Sequence, residues 1–314
     1  MTTARRASAI AAAALALFTT VPSVIATMPG HNGLIVFQAQ TSDGIQLFTM
    51  RPNGHGLRQI THIAGDAADP DWSPDGSRIA FGVDEYEATD SPCVVALSDP
   101  DGGHLNRILS DPAGLTPGID VCHADASWMP DGRHLLVLRF DPALDEETPW
   151  LVGADGTGWV SLPIGGSIDL NASPDGQRIS FKGANGALFV QGIDGTGLVR
   201  VSPDVDVAFK SDWAPDGGRL AFSDYSQPEP GLPVNVWTVR PDGTGLRKLT
   251  HYADPRFRAY VGSYSPDGQW IVFRLEDGGI SALHRIRPDG SDLHRITRWS
   301  TFRPRYIDWG PAKR

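Results

Sequence analysis

One hairpin, written five times, constrains this chain more than any other feature. The segments DWSPDGSRIAF (71–81), SWMPDGRHLLVL (127–138), NASPDGQRISF (171–181), DWAPDGGRLAF (212–222) and SYSPDGQWIVF (263–273) each set Pro-Asp-Gly between two apolar runs. Pro and Gly at those places fit a type I turn, and the intervening Asp bonds local backbone, so each copy closes two antiparallel strands. A second turn alternates with the first at 51–61, 99–109, 153–162, 192–202, 240–250 and 287–297, as in RPDGTGLRKLT. Two such turns define four strands per unit. The aspartates Asp75, Asp131, Asp175, Asp216 and Asp267 recur at intervals of 56, 44, 41 and 51 residues, the period of four-stranded propeller blades.

Composition agrees with an all-β reading. Gly 35 and Pro 25 are high for a helical protein, and no stretch after residue 30 carries an apolar period of 3.6. The blade count follows from the two ends, where NGLIVF (32–37) and IDWGP (307–311) are complementary parts of one repeat. Together they predict a blade whose innermost strand comes from the C-terminal residues and whose other three come from residues 34–61, which leaves no open edge. The expected fold is a six-bladed β-propeller closed by pairing N- and C-terminal strands.

Residues 1–26 read as an export signal: Arg5 and Arg6, the apolar run ASAIAAAALALF, then small residues before the expected cleavage point. The apolar stretch is shorter than a spanning helix needs, and the paired arginines leave both the general and the twin-arginine routes open. The organisation expected is therefore signal 1–26, a short tail 27–33 and a propeller over 34–314, exported to the periplasm or beyond, monomeric and with no membrane span in the mature chain. Losing the signal takes the formal charge from −10 to −12. So acidic a protein is not expected to bind nucleic acid.

The repeat resembles the TolB-type propeller repeat: an inner strand, Trp-Ser-Pro-Asp-Gly, Ile-Ala-Phe, a third strand, then Asp-Gly-x-Gly and Leu-Thr. The resemblance extends over essentially the whole expected mature chain and implies the propeller fold. TolB itself carries an additional α/β domain before its propeller, which this sequence does not lead one to expect. Prolyl-oligopeptidase-like enzymes bear similar propellers beside a hydrolase domain, but G-x-S-x-G is missing here.

Chain direction puts both Asp-Gly turns of every blade on one face and the long, variable connections on the other, where recognition usually sits. On that second face Asp66, Asp69, Asp120, Asp125, Asp145, Glu146 and Glu147 fall in the early blades. The late linkers bring Arg256, Phe257, Arg258, Arg298, Trp299, Phe302, Arg303, Arg305 and Tyr306, a combination that favours binding hot spots. The same aromatics are equally suited to packing between blades.

The residue before each Trp-like position is Asp71, Ser127, Asn171, Asp212, Ser263 and Asp308. These predict a polar ring around the channel, either facing a cation or hydrogen-bonding the next blade. Trp72, Trp128, Trp213, Tyr264 and Trp309 themselves are expected to pack between blades. Asp69, Asp71, Ser73 and Asp75 imitate the start of a calcium loop, but Pro74 and Ala80 stand where it requires Gly and Glu. His62, His123 and His251 show no metal-ligand spacing, and no cofactor or metal is expected. Cys93 and Cys122, the only cysteines, suit a disulfide in an exported chain. The function expected is a non-enzymatic binding or scaffold propeller for an envelope or extracellular protein or an anionic polysaccharide. The alternative is a propeller enzyme, a carbohydrate-active lyase or hydrolase or a lactonase, with its site at the channel mouth.

Overall fold

The computed structural model describes residues 30–85, 93–108, 122–141, 146–165, 167–225 and 232–313. The expected signal lies outside them, as do Asp120, Asp145 and the side chains of Cys122, His123 and Glu146.

In chain order the strands are β1 (Asn32–Thr41), β2 (Gly44–Met50) and β3 (Arg58–Gln59); β4 (Gly65–Trp72), β5 (Ile79–Glu85), β6 (Val94–Ser98) and β7 (Asn106–Arg107). Then come β8 (Cys122–Trp128), β9 (His134–Asp141), β10 (Glu146–Gly153) and β11 (Val160–Ser161), and β12 (Ser167–Ala172), β13 (Arg178–Gly183), β14 (Leu188–Gly192) and β15 (Val199–Arg200). The last are β16 (Val207–Trp213), β17 (Leu220–Asp224), β18 (Val236–Val239) and β19 (Arg247–Lys248); β20 (Phe257–Tyr264), β21 (Ile271–Asp277), β22 (Ile280–Ile286) and β23 (His294–Arg295); and β24 (Arg305–Pro311). They form six antiparallel four-stranded sheets, of which the first has the order β24-β1-β2-β3. The chain is a six-bladed propeller closed by its two ends, with blade 1 built from both.

The turns behave as their residues dictate. In Ser73–Gly76 the Gly76 N–H bonds the Ser73 carbonyl at 2.9 Å, while the Asp75 carboxylate accepts from the Ser77 amide at 2.9 Å and the Ser73 hydroxyl at 2.7 Å. Gly76 has φ +68°, and any Cβ there would strike the Pro311 carbonyl. Side chains also bond the third strand of several blades: Leu47 N donates to Thr61 Oγ1 at 2.8 Å and Val236 N to Thr250 Oγ1 at 2.9 Å.

The core lies between blades. Trp72, Trp128, Trp213, Tyr264 and Trp309 are all buried at the inner edge, and each apolar cluster takes residues from two neighbouring sheets. Burial of such rings drives assembly but leaves blades free to slide, and polar latches remove that freedom. Trp72 N donates to Asp308 Oδ2 (2.9 Å), Trp128 N to Asp71 Oδ2 (2.7 Å), Tyr264 N to Asp212 Oδ2 (2.6 Å) and Trp309 N to Ser263 Oγ (2.7 Å). Of the two roles open to the residues before the Trp-like positions, these four take the inter-blade one.

Closure rests on β24. It pairs with β1 through Ile35–Trp309 and Val36–Asp308, and its Ile307 and Trp309 fill the core shared by blades 6 and 1. Deleting residues 304–314 should therefore cost more than about 5 kcal/mol, because it removes two fully buried large side chains and two latches and bares the β1 edge. Chemical denaturation should show a collapsed, non-cooperative transition; retention of the full-length midpoint would refute closure by this strand.

Candidate functional site: a cationic cup over an acidic throat

Each inner strand is irregular just before its Trp-like position. The register slips between Ala68 and Asp71, Ala124 and Ser127, Ile168 and Asn171, Val207 and Ser211, Val261 and Tyr264, and opposite Val36 and Gln38. In five blades the slip takes in the residue three before the Trp-like position, Asp69, Asp125, Asp169, Lys210 or Tyr306; in blade 6 the equivalent Val261 still pairs with Phe273 and the slip follows it. Asp69, Asp125, Asp169 and Tyr306 have φ of 54°, 50°, 59° and 46°. Asp accepts the left-handed region at modest cost, whereas a Tyr there is unusual.

These bulges build a narrow throat of about 30 Å³ lined by Asp69, Asp125, Asp169, Lys210 and Tyr306 together with Asp71 and Asn171. The aspartates form a second tier of latches: Asp169 N donates to Asp125 Oδ2 (3.3 Å), Ser211 N to Asp169 Oδ2 (2.7 Å), and Asp69 N to Gln38 Oε1 (2.6 Å). Burial raises all three carboxyls. Asp169 is pushed up to about 7; Asp69, with the Asp125 charge added to burial and a hydrogen bond to its carboxylate, is held well above the carboxylate range. In the tier below, burial and the Asp308 charge push Asp71 up to about 7 and hold Asp212 well above its ordinary value. Lys210 is the counter-charge. Burial opposes its ionisation, but Asp308, Asp71, Asp212 and Asp169 outweigh burial and keep its pKa above the ordinary lysine value.

Above the throat, on the variable-loop face, the space widens into a cup of about 510 Å³. Among the described residues its walls carry Lys210, Arg258, Arg274, Arg303 and Arg305, with Tyr225, Tyr260 and Tyr306, and the one carboxylate Glu276. Lys210 and Tyr306 line both spaces. Arg274 is buried and committed to the wall: Nη2 pairs with Glu276 at 3.2 Å, Nη1 donates to the Pro304 carbonyl at 3.0 Å, and the guanidinium lies 4.5 Å from the Tyr260 ring centroid. Arg303 donates to the Gly279 carbonyl at 3.1 Å. Among the described residues, Arg258, Arg305 and Lys210 have no carboxylate within ion-pair distance.

The structure divides the residues expected to form the recognition patch. Arg258, Arg303, Arg305 and Tyr306 line the cup. Arg256 lies outside it, paired with Asp254 (3.3 Å) and Asp277 (3.4 Å) above the Phe257 ring, and Phe257 stacks on Tyr252. Arg298 is exposed away from the cup. Trp299 and Phe302 are corrections to a picture of free contact surface: Trp299 packs on His284 and the blade 6 core, and Phe302 sits edge-on to Phe37 and Phe48. Sequence reading missed Lys210, Arg274, Tyr225 and Glu276. A signal for Lys210 was available, since aligning the inner strands on their Trp-like residues sets it as the one cation opposite Asp69, Asp125 and Asp169. His62 and His251 are exposed, and among the described residues no cluster of three metal-ligating side chains occurs.

A propeller of six four-stranded blades with this repeat can be set beside known proteins. No family model matches the chain. A curated TolB homologue from Chlorobium luteolum is 27% identical over 216 residues, covering 67% of this chain and 45% of its own length. The crystal structure of TolB from Acinetobacter baumannii superposes with a TM-score of 0.68 at 17% identity, over 89% of this chain and 67% of that one. The chain is a TolB-like propeller. It spans about half the length of the curated relatives it matches. An oligogalacturonate lyase in complex with manganese shares the fold of this TolB-like propeller, with a TM-score of 0.55 at 15% identity over 84% of this chain and 73% of that one.

The throat predicts a pH dependence of stability. A carboxyl raised from 3.8 to about 7 on folding contributes stability that is fully present below 3.8 and is lost as pH rises through about 7. Asp169→Asn removes that loss while keeping an oxygen for the Ser211 amide. Between pH 5 and pH 8 the variant should gain roughly 2 kcal/mol relative to wild type in urea unfolding; parallel stability curves would show Asp169 to be ionised throughout.

Proposed function

We propose that this protein is an exported, non-enzymatic binding propeller of the cell envelope or extracellular space that holds an anionic partner, an acidic protein or a polysaccharide, against its variable-loop face. The observation that carries this reading is the cup, where among the described residues five cationic side chains stand against one carboxylate already paired with Arg274. Guanidinium groups held by ring stacking and backbone carbonyls are pre-organised, so an arriving carboxylate gains charge-assisted hydrogen bonds at little entropic cost. Likeness to TolB supports an envelope location, and a "Tol-Pal system protein TolB" of Anaeromyxobacter dehalogenans is among the curated relatives, 26% identical over 110 residues.

The enzymatic reading draws on the lyase neighbour, whose likeness is one of fold. Among the described residues no histidine lines the cup and the carboxylate Glu276 is engaged by Arg274, which favours binding over acid–base chemistry. Affinity capture from envelope and culture-supernatant fractions should yield a partner whose binding weakens with salt and falls at least about tenfold in Arg303→Gln, with melting unchanged. Turnover of a polyuronate or lactone that disappears in Glu276→Gln would overturn the reading.

Export also bears on the cysteines. Cys93 immediately precedes β6 and Cys122 opens β8 in the next blade, so a Cys93–Cys122 bridge would stitch blades 2 and 3 together on the variable face. For a separation of 29 residues the chain-entropy estimate is about 3 to 4 kcal/mol. Denatured, non-reduced protein from the oxidising compartment should titrate with no free thiol, and Cys93→Ser should lower the unfolding free energy by about that amount; two free thiols would refute the bridge.

A further inference from the structure

We infer that the deep part of the cup is a binding site for a free small polycarboxylate, one carboxylate seated at Lys210 and the others between Arg258 and Arg305. This goes beyond the partner-binding reading, which needs only the charge of the face, and stands or falls separately from it.

Shape is the first argument. About 510 Å³ lies in the range of small-molecule sites, and below it the space contracts to about 30 Å³. A ligand therefore ends at Lys210. This side chain is only partly exposed, yet its charge is secured by carboxylates of the tiers beneath and has no direct ion pair among the described residues. A half-buried ammonium with donors left over is a costly arrangement unless an anion completes its shell.

The distribution of donors selects the ligand class. Arg274 is spent on Glu276 and the Pro304 carbonyl, so it shapes the wall. Charge without a carboxylate partner among the described residues resides at Lys210 on β16, Arg258 on β20, which hydrogen-bonds the Tyr260 hydroxyl, and Arg305 on β24, three separate strands in three blades. Charges presented from three strands suit a ligand that carries several single charges on a short skeleton. A compact phosphate dianion would instead concentrate its charge over Asp69, Asp125 and Asp169, which lie just beneath Lys210.

The test is titration calorimetry of the purified protein with propane-1,2,3-tricarboxylate, its neutral triamide and pyrophosphate at low salt. Saturable one-to-one binding of the tricarboxylate with Kd of about 1 mM or tighter is expected, with no binding of the triamide and weaker binding of pyrophosphate. Arg305→Gln and Arg258→Gln should each weaken it at least about tenfold, Lys210→Met should abolish it and Lys210→Arg should restore part of it. Since Lys210→Met leaves the throat carboxylates uncompensated and could unfold the ring, the exposed Arg305 variant carries the decision. Absence of binding, tighter binding of pyrophosphate, or an unchanged Kd in Arg305→Gln overturns the inference. If the tricarboxylate does not bind while capture of a macromolecular partner is lost in Arg305→Gln, the cup belongs to that partner: this inference falls and the proposed function stands. If the tricarboxylate binds as expected and no partner is ever captured, the reverse holds.

Discussion

The rest of the structure depends on one hydrogen bond, made between blades: a side-chain acceptor on one inner strand receives the backbone N–H of the Trp-like residue on the next. Aromatic packing brings the blades together, but an apolar interface between two twisted sheets tolerates sliding. Asp308 to Trp72, Asp71 to Trp128 and Asp212 to Tyr264 fix the offset at the axis, where a small shift would propagate around the ring. At the four junctions where it is made the acceptor serves the following blade, so the latch always points in one direction, and Asp308 on the C-terminal strand delivers it to blade 2. Closure and inter-blade register are thus one constraint.

Choosing carboxylates for this work has an electrostatic consequence. Three latch aspartates in one tier and Asp69, Asp125 and Asp169 in the tier above crowd acids around a narrow axis. Burial, with repulsion from neighbouring acids, raises Asp71 and Asp212 in the lower tier and Asp69 and Asp169 in the upper, and burial raises Asp125, so part of the charge is held as protons. The rest needs a cation inside the ring, and Lys210 supplies it. The acids of the upper tier belong to blades 2, 3 and 4, whereas the corresponding places in blades 5, 6 and 1 hold Lys210, Val261 and Tyr306. The cup opens over that second arc. Its position follows from which inner strands lack an aspartate at the bulge.

The sequence displayed the fold almost completely because a propeller is written in turns, and turn chemistry is local: Pro74, Asp75 and Gly76 need no knowledge of the rest of the chain to do what they do. Blade count and ring closure followed from phase. The site was half legible. Arg258, Arg303, Arg305 and Tyr306 could be placed on one face by chain direction, but Trp299 and Phe302, adjacent to them in sequence, turn into the cores of blades 6 and 1. An aromatic in a connection carries no mark of which side it will face. Arg274 was invisible for another reason: it sits within an apolar strand, IVFRLED, and its role comes from Tyr260, Glu276 and Pro304, which only the folded ring brings to it.

Cup and throat are electrostatically one object, because Lys210 and Tyr306 belong to both. An anion placed at Lys210 lowers the potential felt by Asp169 and Asp71, whose carboxyls stand near 7, and so favours their protonated forms. By linkage, protonating those carboxyls must favour the anion equally. Anion affinity in the cup is therefore tied to the protonation of residues that latch the blades, and the tie is strongest near neutral pH, where those carboxyls change state. Tyr306, held in a backbone conformation that its neighbours in the ring give to aspartate, completes the boundary without adding a charge. A carboxylate there would set a fourth acid beside Asp69, Asp125 and Asp169 and cancel Lys210 as a site for anions.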